Sequence, residues 1–81
     1  MRFYYSEKFI NSYQNAPSSI QILFQKQARF LVLNLRHPSL QAKKYSHTDD
    51  VWQARVNSDW RFYFVIKNDV YFLVDILKHP K

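Results

Sequence analysis

The chain contains no glycine among its 81 residues, and this absence limits how its backbone can turn. Glycine is the residue that reaches positive φ without steric cost, so tight turns here must use Asn, Asp, Ser or Pro. The strongest turn signals are Asn57-Ser58-Asp59 and Asn68-Asp69. The same absence excludes the P-loop and the dinucleotide fingerprint, which need glycine where the backbone approaches phosphate. We therefore expect no nucleotide cofactor.

The length and composition predict one domain that spans residues 1–81. A domain of this size buries only about 60% of its unfolded surface, so its core must be used efficiently. Aromatic residues, at 19% of the chain, supply that core. No apolar run approaches the roughly 20 residues of a membrane span, and Met1-Arg2-Phe3 does not begin a signal peptide. Cysteine is absent, which excludes a disulfide scaffold, a thiolate metal site and a cysteine nucleophile. These features predict a cytoplasmic domain with no membrane partner.

Positive charge is concentrated in the first half of the chain. The net charge is +6, and no acidic residue occurs between Lys8 and Thr48. Five of the six acidic residues lie from Asp49 onward. A purely basic half favours nucleic acid or an acidic protein as partner. The alternative is a solvated surface that happens to be basic.

The pattern of apolar and turn residues predicts an α+β fold with the order β-α-α-β-β-β, in which two N-terminal helices pack on an antiparallel sheet. Ser6 is the expected N-cap of the first helix, which Asn15-Ala16-Pro17 ends, and Ser18 or Ser19 caps a longer helix that Pro38 ends. Residues 39–50 are polar and predict a connection. The predicted strands are residues 2–5, 51–56, 60–67 and 70–77.

The strand from residue 51 alternates between two faces. If Trp52, Ala54 and Val56 pack on the helices, Gln53 and Arg55 project from the open face. Arg61 leads the next strand and His79 follows the last one. Two arginines and a histidine on one sheet surface can bind a phosphodiester, move a proton and stabilise a phosphorane. The alternative is that the arginines are ordinary surface residues and that the histidine lies in a frayed tail.

Three segments together resemble the RelE/ParE toxin superfamily, the small basic toxins of bacterial type II toxin–antitoxin pairs. They are His37-Pro38-Ser39-Leu40, Val51-Trp52-Gln53-Ala54-Arg55-Val56 and Asp59-Trp60-Arg61. The resemblance covers nearly the whole chain and is greatest to the RelE and YafQ ribonuclease branches. It implies a RelE-like microbial RNase fold, a cognate antitoxin, and metal-independent cleavage of mRNA on the ribosome that inhibits translation.

The resemblance also implies the site residues. Asp59-Trp60 and His79 have the order and spacing of the YafQ type, and Arg61 matches an arginine of the RelE type. Arg55 stands where those branches carry histidine or lysine, so His79, Arg61, Arg55 and Asp59 form the implied catalytic set. Asp59 is alternatively a turn residue. The implied RNA-binding residues are Lys43, Lys44, Gln53, Trp60, Lys78 and Lys81.

Two departures from the family pattern affect this interpretation. Gln53 occupies a place where the RelE type has a second lysine. The chain also stops before the C-terminal helix that carries a stacking tyrosine in the RelE type, so Tyr45, Trp60 or Tyr63 would have to stack a flipped base.

Neither a metal nor another cofactor is implied. The alternative functions are a ParE-like inhibitor of DNA gyrase and a catalytically inactive relative that binds an antitoxin.

Overall fold

The computed structural model of the chain describes residues 2–79, so the predicted RNA-binding residue Lys81 lies outside the described part. The elements, in chain order, are β1 (Arg2–Tyr5), α1 (Glu7–Asn15), α2 (Ser18–Leu33), β2 (Lys43–Ser46), β3 (Val51–Arg55), β4 (Trp60–Lys67) and β5 (Val70–Lys78). The two helices and the last three strands lie where the sequence predicts them. The α+β class is confirmed.

The sheet differs from the prediction in two ways. Its strand order is β1-β5-β4-β3-β2, so it contains β2, in a segment that was expected to be a connection. Lys43 to Ser46 lacks apolar alternation and is extended because it pairs antiparallel with the edge of β3. The sheet is also mixed, not purely antiparallel, because β1 pairs parallel with β5. That pairing joins opposite ends of the chain, and local sequence patterns carry no signal for its direction.

Ser6 joins the start of α1 to the last strand. Its hydroxyl accepts the Phe9 N–H at 3.0 Å as the N-cap and donates to the Val74 carbonyl, also at 3.0 Å. The prediction that Ser18 or Ser19 caps the second helix is wrong: the helix begins at Ser18, and Pro17 before it makes no side-chain cap. The helix ends at Leu33, before the predicted limit at Pro38. No helix within residues 2–79 has the length and apolar character required to cross a membrane.

The turns show how a chain without glycine reaches positive φ. Asn68 and Asp69, at φ 51° and 63°, form the predicted tight turn between β4 and β5. Asp50 adopts φ 59° beside β3. Gln41, at φ 46°, is the unexpected case, since a long side chain is disfavoured in this region of the backbone. It lies just before β2, at the margin of the site described below.

The core lies between the helices and one face of the sheet. Phe62 and Phe64 of β4 are completely buried, and Phe24 of α2 meets Phe62 edge to face with ring centroids 5.1 Å apart. The other large side chains that are fully buried are Leu31, Leu40, Leu73 and Ile76. Because the helices cover this face, the residues that alternate with the core residues along β3, β4 and β5 lie on the opposite, open face.

Candidate active site on the open face of the sheet

The strand register places the predicted catalytic cations beside each other. Arg55 of β3 lies directly opposite Arg61 of β4, and Arg61 in turn lies opposite Leu77 of β5. Side chains two residues apart in a strand share a face, so His79 continues on the face of Leu77. The open face therefore carries Arg55, Arg61 and His79 at one end of the sheet.

These side chains line a cavity of about 440 Å³, here called the basic cavity. Its lining residues are Gln41, Lys43, Lys44, Tyr45, Gln53, Arg55, Arg61 and His79. No carboxylate in the described part of the chain lines it. The structure thus brings together six of the residues predicted from sequence, whereas Asp59, Trp60 and Lys78 lie outside the lining.

Arg61 is held by the turn that precedes it. Its Nη1 donates to the carbonyls of Asn57 at 2.6 Å and Trp60 at 3.0 Å, with a longer contact to Ser58. A guanidinium has five N–H donors, so others are available to a ligand. Like charges directly opposite each other in a sheet are destabilising, and an anion bound between Arg55 and Arg61 relieves this repulsion. The pair is therefore suited to bind a phosphate group.

His79 is tied to the same turn by its main chain. Its backbone N–H donates to the Asp59 carbonyl at 2.5 Å. Its ring Nδ1 is buried and has no hydrogen-bond partner, the one such side-chain atom among residues 2–79. A buried polar atom without a partner costs free energy. The His79 ring also lines the basic cavity, so a change in ring orientation would let this nitrogen meet a ligand hydroxyl or phosphate oxygen.

Asp59 is built into the turn through its backbone. The Asn57 side-chain oxygen accepts the N–H groups of Asp59 at 2.8 Å and Trp60 at 2.9 Å, which is an Asx-type turn. Asp59 in turn accepts the N–H of His79. The main chain of Asp59 therefore forms a turn, as the alternative interpretation states. The Asp59 carbonyl also fixes the point at which His79 leaves the sheet.

Trp60 and Lys78 occupy the other face of the sheet. They pair with each other across β4 and β5, and Trp60 packs against the core. Together with Asn11 and Ser12 of α1 they line a shallow cavity of about 310 Å³. Trp60 is thus separated from the arginines by the sheet itself. The aromatic side chains beside the arginines on the open face are Tyr45 and Tyr63, whose ring centroids lie 5.1 Å apart.

The two adjacent lysines of β2 have different surroundings. Lys43 lies opposite Gln53 and is exposed at the rim of the basic cavity. Lys44 lies opposite Trp52, where its ammonium group forms an ion pair with Asp50 and lies 5.3 Å from the centre of the Trp52 ring. Of the two, Lys43 is the better placed to meet a phosphate.

Gln27 is a positioning residue that the sequence analysis missed. It is 4% exposed, and its Nε2 donates to the main-chain carbonyls of Ser39 at 2.9 Å and Arg55 at 2.7 Å. The Arg55 N–H donates to the Leu40 carbonyl at 2.7 Å. The backbone of Arg55 is therefore fixed on both sides. The available signal was a polar residue within the buried stripe Ile20, Phe24, Gln27 and Leu31.

Electrostatics exclude Tyr63 as a catalytic base. Burial raises the pKa of the Tyr63 hydroxyl above its ordinary value; Tyr45 and Asp75 raise it further, while Arg61 lowers it. Tyr63 is therefore a neutral phenol at physiological pH and contributes a ring, not a base. Within the described residues, no three His, Asp or Glu side chains lie close enough together to ligate a metal ion.

The fold is similar to that of several solved toxins. Compared with the YoeB dimer structure from Staphylococcus aureus, the TM-score is 0.81 at 12% identity, over 99% of this chain and 98% of the other. For YafQ from E. coli strain BL21(DE3), the TM-score is 0.77 at 14% identity, over 94% of this chain and 90% of the other. For a chain of the intact E. coli RelBE toxin–antitoxin complex, the TM-score is 0.74 at 12% identity, over 98% of this chain and 96% of the other.

No protein-family model matches the sequence, and no curated protein matches it. At these identities the structural likeness establishes the fold. It confirms, for the fold, the resemblance to toxins of the RelE/ParE type.

Proposed function

We propose that the protein is the toxin of a type II toxin–antitoxin system, and that it is an endoribonuclease that cleaves mRNA on the ribosome. The observation that carries this proposal is the basic cavity. There, Arg55 and Arg61 face each other beside the unpartnered Nδ1 of His79. The likeness in fold to YoeB, YafQ and RelBE structures supports the toxin class.

The arginines bind the scissile phosphate and stabilise the charge that develops on it. Arginine stays protonated at neutral pH, so neither Arg55 nor Arg61 can act as a base. The guanidinium of Arg61 is preorganised by its bonds to the turn, which means that little reorganisation is required in the transition state. The Gln53 amide, which is buried beside Tyr63 on the same sheet surface, and the ammonium group of Lys43 at the rim contact the adjoining RNA backbone.

His79 is the proton-transfer group of this mechanism. The ribose 2′-hydroxyl attacks phosphorus and gives its proton to a water molecule. The bond to the 5′-oxygen breaks, which leaves a 2′,3′-cyclic phosphate and, once that oxygen is protonated, a 5′-hydroxyl end. The protonated imidazole of His79 donates a proton to the departing 5′-oxygen. Such an acid contributes about 10²–10⁴-fold. Asp59, which holds the His79 main chain, completes the predicted catalytic set as its orienting residue. The reaction requires the 2′-hydroxyl and therefore selects RNA.

A cognate antitoxin is the second partner that we propose. The outer side of α2 exposes Ile22 and Leu33, at 67% and 79%, together with the cations Lys26 and Arg29. An acidic amphipathic segment matches both its apolar and its basic residues. The toxin–antitoxin complex among the similar structures supports such a partner. The protein would then act in the bacterial cytoplasm, where its ribosomal substrate is found.

The test is cleavage of mRNA on programmed ribosomes, mapped by primer extension. His79→Gln should lower the cleavage rate by at least about 10²-fold while the chain keeps its fold. His47→Gln, which changes an exposed histidine in the turn after β2, is the matched control and should cleave at the parental rate. Normal cleavage by His79→Gln would refute the site. Intact mRNA with the parent, together with inhibition of DNA gyrase, would replace the nuclease by the ParE-like alternative.

A further inference from the structure

A second cavity adjoins the basic cavity on the open face of the sheet. Its volume is about 270 Å³, and Tyr45 lines both cavities. Its lining residues are Lys8, Tyr45, Ser46, Asp49, Val51, Tyr63, Val74, Asp75 and Leu77. Small-molecule pockets usually exceed about 300 Å³, so this cavity suits one planar ring system.

The charges of the second cavity differ from those of the basic cavity. Two carboxylates, Asp49 and Asp75, line it with one cation, Lys8, so it disfavours a phosphate. Its walls include the rings of Tyr45 and Tyr63, whose planes are inclined at 67°. Tyrosine rings offer stacking surfaces to nucleobases. Tyr63 lies two residues from Arg61 along β4, about 7 Å away. That separation lets one nucleotide place its phosphate on the arginines and its base in the second cavity.

Asp75 is the most informative residue of this cavity. It lies opposite Tyr63 across β4 and β5, and its side chain is only 6% exposed. One carboxylate oxygen accepts the Ile76 N–H at 2.9 Å. The other lies 3.6 Å from the ammonium group of Lys8, whose side chain is 73% exposed. Because this separation exceeds an ordinary N–H···O distance, the second oxygen retains capacity to accept hydrogen bonds. The first oxygen also keeps a lone pair, since a carboxylate has about four acceptor sites.

We infer that the second cavity binds a guanine base next to the scissile phosphate, with Lys8 and Asp75 contacting its Watson–Crick edge. This inference rests on the proposed function. Guanine presents O6, N1–H and the 2-amino group in a row, and an ammonium beside a carboxylate offers a donor next to two acceptor oxygens. Adenine and cytosine can satisfy only one donor and one acceptor of this pair. Uracil places its second carbonyl against the carboxylate.

The test is direct binding of short RNA probes by the full chain, measured by fluorescence anisotropy. Each probe carries a 2′-deoxy sugar at the scissile position, which prevents cleavage, and the probes differ in one base on either side of that phosphate. Guanine should be bound roughly 10-fold or more tightly than adenine or uracil at one of the two positions. Inosine, which lacks only the 2-amino group, should lose most of this preference.

Two variants test the assignment of residues. Asp75→Asn should reduce the guanine preference at least about 5-fold while binding of the other probes changes little. Asp49→Asn, which changes a carboxylate of the same cavity, is the matched control and should keep the preference. Lys8→Met changes an exposed side chain, so the fold should tolerate it, and it should weaken guanine binding selectively. A guanine preference unchanged in both Asp75→Asn and Lys8→Met would overturn the inference.

The cleavage assay on programmed ribosomes separates this inference from the proposed function. Cleavage by the parent with no preference among the probes would overturn the guanine assignment and leave the nuclease standing. Guanine-selective binding without cleavage would support the second cavity and count against the nuclease. Neither cleavage nor binding of any probe would overturn both.

Discussion

The two faces of the sheet are built from alternate residues of the same strands, yet they differ in whether their side chains have favourable contacts in the free protein. On the covered face, Phe62 and Phe64 are fully buried and pack against each other and against Phe24 of α2. On the open face, Arg55 opposes Arg61, and His79 buries a ring nitrogen without a partner. The covered face thus lowers the free energy of the fold, whereas these open-face groups raise it.

This difference indicates where the function lies. Groups that repel each other or lack partners in the free protein gain most when a ligand arrives, and such local costs are typical of functional sites. The covered face offers no comparable gain, since its side chains already have their contacts. Substitutions on the covered face should therefore change stability, and substitutions on the open face should change activity.

The largest expected effect is on the covered face. Phe62→Ala removes a fully buried ring that meets Phe24, and it should lower the free energy of unfolding by about 3–5 kcal/mol. Leu77→Ala is the matched control, because Leu77 is 46% exposed on the open face and should cost much less. Chemical denaturation followed by circular dichroism measures both. Equal losses of unfolding free energy in the two variants would contradict the distinction between the faces.

A smaller effect should separate the adjacent lysines of β2. Lys43→Ala should weaken RNA binding and lower the slope of log affinity against log salt by up to about 0.7–0.9 units, the value for one phosphate contact. Lys44→Ala should leave the slope nearly unchanged, because Lys44 is paired with Asp50 and lies over Trp52. The measurement is RNA binding by both variants across a salt series. A larger change in slope for Lys44→Ala would reverse the assignment.

The sequence predicts the parts of the fold that depend on local signals. Ser6 as a cap, the stop at Asn15, and the turn at Asn68 and Asp69 follow from the conformational preferences of single residues, and each is confirmed. Alternation in β3 and β4 likewise places Arg55 and Arg61 on one face. These features need only short windows of sequence.

The features that the sequence did not predict depend on distant partners. β2 is a strand because β3 provides an edge for it, and β1 is parallel to β5 because of a pairing between the two ends of the chain. Trp60, expected to contact RNA, is the exception, because the local alternation along β4 already places it with Phe62 on the covered face. The second cavity was not predicted at all, since Lys8 and Asp75 meet only through the packing of α1 against β5.

The most direct test of the account compares stability and cleavage in one variant, Arg55→Gln. The backbone contacts of Arg55 to Leu40 and Gln27 do not involve its side chain, and the substitution removes the charge opposite Arg61. The account predicts an unchanged or slightly higher free energy of unfolding, because like charges opposite each other destabilise a sheet. It also predicts a loss of mRNA cleavage of about 10²-fold or more. A clearly destabilised Arg55→Gln variant that still cleaves ribosome-bound mRNA at the parental rate would contradict it.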